Sequence, residues 1–221
     1  MNIVDSSILK RLSRPDPESH KGQNGRILII AGSEKYHGAL LLALKAASRI
    51  VDMVYVYSPK NTDLIQRLRP EIAVFIPVTP DELWKTVELV DSVLIGPGLE
   101  ESGDSIELTK TILTKYINTK IVIDATALWH LDPHWLHPLA IITPHSREFK
   151  QVFDCCPSAD CVQKNASLYH ATIVLKGKTD YISNGIELWV NITGNVGMTK
   201  GGTGDVLAGL ISALLATNNC L

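Results

Sequence analysis

The chain has 221 residues, 45% of them apolar, and a formal charge of −2. That length suits one domain, and the charge gives no electrostatic case for nucleic acid or an anionic membrane. No apolar run reaches the length of a bilayer span, and the first residues lack a signal-peptide pattern.

Residues 1–24 are polar, carry Pro15, Pro17 and Gly22, and are expected to wrap the surface. Arg26 to Ala31 is a short continuous apolar run, the mark of a strand covered on both faces, and it ends at Gly32-Ser33. Gly38 to Ile50 predicts a helix packed on the sheet. Met53 to Tyr57 predicts a second strand, stopping at Ser58-Pro59. A short helix at Thr62–Leu68, a weak strand at Ile72–Ile76 and a helix from Pro80 to about Val90 follow. Ser92 to Ile95 is a strand that stops at Gly96-Pro97-Gly98, and a polar helix covers about Asp104–Ile117. Ile121 to Ile123 stops at Asp124, with helical turns over Ala125–Leu131. Ala140 to Thr143 stops at Pro144-His145, and Ser146 to Phe149 starts a helix. Ala159 to His170 is a helix, and Thr172 to Leu175 a strand stopping at Lys176-Gly177. A hairpin over Thr179–Ser183 and Ile186–Ile192 turns at Asn184-Gly185. Strands alternate with helices almost throughout, so the fold class is α/β with a largely parallel sheet, in a single domain over 1–221.

The chain closes on Gly194 to Gly209, in which five of the first eleven residues are glycine, followed by Asp205 and an apolar run to Ala216. This is a bare-backbone loop feeding the N-terminus of a buried helix. Free N–H groups and the positive end of the helix dipole make an anion site suited to phosphate. Gly204 is expected to leave room for a phosphate and to take a positive φ. Asp205 reads in two ways: an N-cap, or a carboxylate placed to take a proton from a hydroxyl that attacks phosphorus. The Walker A pattern is absent, and Leu207 stands where a dinucleotide fingerprint needs its third glycine.

Small or chemically active residues follow the strands: Ser33, Gly96 to Gly98, Asp124, His145 and Lys176. Ligands of parallel α/β sheets bind outside the carboxyl ends of the strands. Each residue also has a bland role: Ser33 or Asp124 as a helix cap, Gly96-Pro97-Gly98 as a tight turn, His145 and Lys176 as surface residues. Their common edge is what argues for a cleft. The four cysteines, Cys155, Cys156, Cys161 and Cys220, lack zinc-ligand spacing and read as reduced thiols of a cytoplasmic protein.

Ala31-Gly32-Ser33 with Tyr36 and Gly38-Ala39, then Ile95 to Leu99, Thr143-Pro144-His145 with Glu148-Phe149, Val174 to Gly177, Gly194-Asn195-x-Gly197-Met198, and Gly202 to Gly209 occur in that order. The set resembles the ADP- or ATP-dependent NAD(P)H-hydrate dehydratases over about Gly22 to Ala216. The resemblance implies a ribokinase-like three-layer sandwich. It implies a reaction in which a hydroxyl on the hydrated nicotinamide ring is phosphorylated and phosphate is then eliminated. On it, Asp205 is the acid–base group. Ala39, Gly98, His145 and Asp205 contact the hydrated dinucleotide NADHX or NADPHX, with Tyr36 offering a ring face and Gly38, Ala39 and Gly98 leaving room. Lys176, Gly177, Lys178, Thr179 and Asp180 lie along the adenine nucleotide, and Gly202, Thr203 and Gly204 cradle its phosphates. Mg²⁺ bridges those phosphates, with no metal site built of protein ligands alone.

The chain departs from the family at Glu100, Thr126, Ser146 and Arg147, of which Glu100 and Arg147 alter the rim of the substrate site. Further helices that usually follow the last one are expected to be missing, which leaves the adenine pocket open or covered by a neighbouring subunit of a homo-oligomer. Two other readings stay open: a small-alcohol kinase of the same superfamily, and a non-catalytic nucleotide-binding subunit.

Overall fold

A computed structural model describes residues 2–61, 65 and 75–218. The helix expected at Thr62–Leu68 and the first residues of the strand expected at Ile72–Ile76 fall largely outside these. Strands β1 (Asn2–Ile3), β2 (Arg26–Ile30), β3 (Met53–Tyr57), β4 (Phe75–Pro77), β5 (Ser92–Ile95), β6 (Ile121–Ile123), β7 (Ala140–Ile142), β8 (Thr172–Leu175), β9 (Asp180–Ser183) and β10 (Leu188–Asn191) form one sheet. Its order is β1-β10-β9-β8-β7-β6-β5-β2-β3-β4. From β4 across to β8 every pairing is parallel; β9 runs antiparallel to both its neighbours.

The helices are α1 (His37–Ala47), α2 (Leu83–Leu89), α3 (Gly103–Lys115), α4 (Ser146–Phe153), α5 (Ala159–Leu168) and α6 (Thr203–Thr217). They cover both faces of the sheet because the central strands are apolar on both. In β2, Leu28 and Ile30 join a buried cluster with residues of α2 to α5, whereas Ile27 and Ile29 join a second cluster with residues of α1 and α6. Alternation with period two sends successive side chains to opposite layers. The result is a three-layer sandwich with a largely parallel sheet, as expected.

Helices α1 and α6 lie close because small residues meet. A Cβ on Gly209 would stand 2.9 Å from Ala43 Cα. The buried hydroxyls of Ser92 on β5 and Ser212 on α6 share a 2.9 Å hydrogen bond, which fixes α6 against the sheet.

Three expectations need correction. Residues 2–3 do not simply wrap the surface: they add β1 to β10 in parallel. The hairpin does not turn on two residues. Ser183 pairs with Leu188, and the four-residue loop is held by Asn184 Oδ1, which accepts from the N–H groups of Ile186 and Glu187. That side chain replaces the ladder bonds expected there. The helix starting at Pro80 is a 3₁₀ turn over Pro80–Glu82 before α2 begins.

Candidate active site

Asp124, Thr143 and Lys176 are each the first residue beyond one of three neighbouring parallel strands, β6, β7 and β8. Period two puts them on the same face as Val122, Ile141 and Val174, which pack in the layer of α1 and α6. All three therefore point toward α6. Thr143 Oγ1 donates to Asp124 Oδ1 at 2.8 Å, and Lys176 Nζ donates to the same oxygen at 2.7 Å. The Asp124 side chain is 3% exposed and that of Lys176 21%. Asp124 precedes a 3₁₀ helix at Ala125–Leu128 yet makes no side-chain cap to it. Its carboxylate serves Lys176 and Thr143 instead.

The start of α6 meets this group. Gly202 is the N-cap, with φ of 93°, so the positive φ expected at Gly204 belongs to Gly202. Asp205 is the third residue inside the helix, so the N-cap reading of Asp205 is wrong. The first helical bond runs from Val206 N to Gly202 O, at 3.1 Å. The N–H groups of Gly204 and Asp205 therefore have no partner among the described residues, as a helix start dictates. A Cβ on Gly204 would stand 3.5 Å from Lys176 Nζ and 4.0 Å from Asp124 Oδ2, ordinary contacts. Neither backbone strain nor crowding demands glycine there; its absent side chain leaves the backbone N–H groups and the ammonium open to an anion.

Asp205 is half-buried. Burial first, then the negative charge of Asp124, push its carboxyl above the usual carboxylate range, while Lys176 pulls it back. A carboxylate with raised proton affinity beside a cation and two free N–H groups can accept a proton from a hydroxyl and hold charge on phosphorus.

The other sequence-assigned residues divide. Thr203 Oγ1 donates to Met198 O at 2.9 Å and to Lys200 O at 3.1 Å, bracing the Gly-rich loop. Gly177 to Asp180 form a turn held within the chain: Asp180 accepts from Gly177 N and from Asn191 Nδ2, both at 2.9 Å. Lys176 leaves that segment and turns to Asp124. His145 is the N-cap of α4. Its Nδ1 accepts from Arg147 N and Glu148 N at 3.2 and 3.1 Å, and Glu148 Oε2 accepts from His145 N at 2.8 Å. A parallel bridge sets His145 beside Lys176. Ala39 lies in the first turn of α1, three residues before Leu42, whose side chain covers Gly202. Gly98, with φ of 65°, is packed: a Cβ there would meet the Tyr36 carbonyl and stand 2.9 Å from Ala39 Cβ. Its smallness serves the joint with α1, not open room for a ligand as expected. Gly38 does face open space.

The sequence places Asp124 at the cleft edge and Thr143 within the Thr143-Pro144-His145 element, but gives neither a catalytic task. The signal was present: chemically active residues at the same offset from three strands, in phase with the buried row of one layer.

With that geometry in place, comparison with known proteins is specific. A family model described as Carb_kinase, NAD(P)H-hydrate dehydratase, matches residues 27–220. A bifunctional NAD(P)H-hydrate repair enzyme of Methanocaldococcus jannaschii is 40% identical over 98% of this chain and 44% of its own length. The chain thus spans less than half of that relative. An ADP-dependent (S)-NAD(P)H-hydrate dehydratase of Nitrosopumilus maritimus is 35% identical over 98% of this chain and 81% of its own. Among solved structures, the ADP/ATP-dependent NAD(P)H-hydrate dehydratase of Bacillus subtilis, co-crystallised with ATP/Mg²⁺, aligns with a TM-score of 0.77 and 28% identity, over 96% of this chain and 79% of that one. The shared architecture is the ribokinase-like one that the sequence resemblance implies. The chain belongs to the NAD(P)H-hydrate dehydratase family.

Proposed function

We propose that the chain dehydrates the hydrated nicotinamide cofactors NADHX and NADPHX to NADH and NADPH, with ADP as the first-choice phosphoryl donor and ATP as the second. The observation that carries this reading is the Asp205 carboxylate in the first turn of α6, beside Lys176 and two N–H groups that have no partner among the described residues. The names of the relatives support the substrate class.

Hydroxide is a poor leaving group from a ring carbon and phosphate a better one, which is why a nucleotide is needed. Asp205 accepts the proton of the ring hydroxyl as its oxygen attacks the terminal phosphorus of the donor; AMP leaves when the donor is ADP. Lys176 and the N–H groups of Gly204 and Asp205 hold the charge on the moving phosphoryl group. The C–O bond to phosphate then breaks, a neighbouring ring carbon loses a proton, and the reduced nicotinamide is restored. In this reading Ala39, Gly98 and His145 line the dinucleotide side, while Gly177, Lys178, Thr179, Asp180, Gly202 and Thr203 line the nucleotide side. Among the described residues no group of three or more His, Cys, Asp or Glu could hold a metal by itself. Mg²⁺ arriving on the nucleotide would supply charge neutralisation at the phosphates.

The reading extends to a homo-oligomer. Ile192, Val196 and Met198 are exposed around the Gly-rich loop, apolar surface that a second copy would cover. It extends to a cytoplasmic setting, supported by cysteine usage. No helix among the described residues is long and apolar enough to cross a membrane.

The test is to add hydrated NADH with Mg²⁺ and ADP, then ATP, while following the near-ultraviolet absorbance of reduced nicotinamide together with inorganic phosphate. The two should rise together, faster with ADP. A stable phosphate ester without that absorbance would favour the small-alcohol kinase, and no reaction despite nucleotide binding the non-catalytic subunit.

A further inference from the structure

We propose that Asp124 is a positioning residue for phosphoryl transfer: with Thr143 it holds the Lys176 ammonium beside the open N–H groups at the start of α6, where the phosphoryl group passes. The inference rests on the function proposed above and deepens it.

A lysine on its own is a poor fixed charge, because a long stem with several rotors spreads the ammonium over many positions. Here the anchor is rigid. Asp124 follows β6 directly, and its backbone is clamped from both sides. Its carbonyl occupies the place where Gly96 would carry a Cβ, and Ala125, next in the chain, is held at φ of 50°. A left-handed non-glycine residue persists only where its surroundings impose it. The carboxylate is locked in turn by the Thr143 hydroxyl, itself fully buried.

Stability alone is a weak reason for such a pair. Taking two charges out of water costs about as much as their attraction returns, so a buried ion pair is better read as fixing geometry. A capping role for Asp124 is excluded by its lack of a cap bond. What the pair does fix is the distance from Lys176 Nζ to the open position over Gly204. An ammonium already in place when the nucleotide arrives needs no reorganisation as charge develops on phosphorus.

The same arrangement reaches Asp205. The charged groups that face its carboxyl are Asp124, from the end of β6, and Lys176, from the end of β8. Their opposed effects give a readout that a purely structural role would not move. Among the described residues, replacing Asp124 by Asn leaves Lys176 as the charge facing Asp205, so its titration should move to lower pH. Replacing Lys176 by Met leaves Asp124 alone, and the titration should move to higher pH. The double variant should fall between them.

The experiment makes Asp124→Asn, Lys176→Met and the double variant. It follows the Asp205 carboxyl by carbon NMR in the ligand-free protein and measures kcat and KM for ADP. Asp124→Asn should lower kcat about tenfold to hundredfold, the range for a misplaced catalytic group, with KM for ADP within about threefold on the same scale. The double variant should lose little more than the worse single one, since the two residues act as a unit. Thr143→Val should repeat a smaller kcat loss that Thr143→Ser largely recovers; this pair keeps both charges and serves if Asp124→Asn fails to fold. An unmoved Asp205 titration with near wild-type kcat, or losses that multiply in the double variant, would overturn the proposal. A wild-type protein that makes no NADH from its hydrate would overturn the function reading instead, while the ligand-free titrations would still decide the arrangement.

Discussion

At the start of α4 one nitrogen of His145 is committed and the other is available. Nδ1 accepts two backbone N–H groups, which places the ring proton on Nε2. Nε2 lies 3.6 Å from Glu148 Oε1, on a side chain that is 52% exposed. The ring can therefore cap the helix and still donate to a substrate. Two substitutions separate these roles. Asn keeps a capping oxygen and lacks the second nitrogen, whereas Ala loses both; loss of a cap costs about 1 kcal/mol. His145→Asn and His145→Ala should both raise KM for the hydrate well above any change in KM for ADP, and only His145→Ala should lower the melting temperature. An unchanged hydrate KM in His145→Asn would leave capping as the whole role. At this scale sequence legibility was uneven. Strand-end residues could be found by offset and phase. Helix register could not: whether Asp205 is a cap or the third helical residue depends on where the chain turns, and Gly202, not Gly204, supplies that turn.

Between elements, the joint of α1 and α6 decides where the site sits, because both helices begin at the carboxyl edge of the sheet. Gly209 allows that approach. A Cβ there would meet the backbone of Ala43, including Cα at 2.9 Å, and backbone does not yield as a flexible side chain does. Gly209→Ala should cost about 1–3 kcal/mol, the range for overpacking a tight core, and should lower kcat as α6 shifts. Gly38→Ala is its control, since none of the described residues lies within 4 Å of a Cβ there. That variant should be neutral or slightly stabilising, as removing a helical glycine usually is. Equal melting temperatures for the two would contradict the packing account. Strand and helix order was readable from apolar runs and the residues that end them. The two-residue strand β1 was not, for so short a segment shows no periodicity, and its place comes from pairing with β10.

For the whole molecule, acid stability carries a signature of one buried ring. His137 Nδ1 accepts from Leu139 N, its Nε2 is buried without a partner among the described residues, and burial lowers its pKa from 6.5. Below the unfolded value the unfolded chain takes up a proton that the folded ring resists. Stability is therefore full above about pH 6.5 and falls as the pH drops toward the lowered folded value. His137→Gln should flatten that part of the melting curve against pH; an unchanged slope would mean that another group controls it. The largely parallel sheet covered on both faces was legible because the central strands are continuous apolar runs, whereas the ribokinase-like three-layer sandwich came from the family resemblance. The ion pair inside the cleft was less legible, since its partners are 52 residues apart and meet only through strand order.

The central claim is that Asp205 is the proton acceptor in phosphoryl transfer at the start of α6. The most direct test measures Asp205→Asn beside wild type, with ADP affinity by calorimetry and NADH formation from its hydrate by absorbance. The amide keeps the shape and removes the base, so ADP should bind nearly as before while turnover falls about 10²–10⁴-fold. Turnover within about threefold of wild type, far below that range, would contradict the account and leave Asp205 as an ordinary residue of the helix.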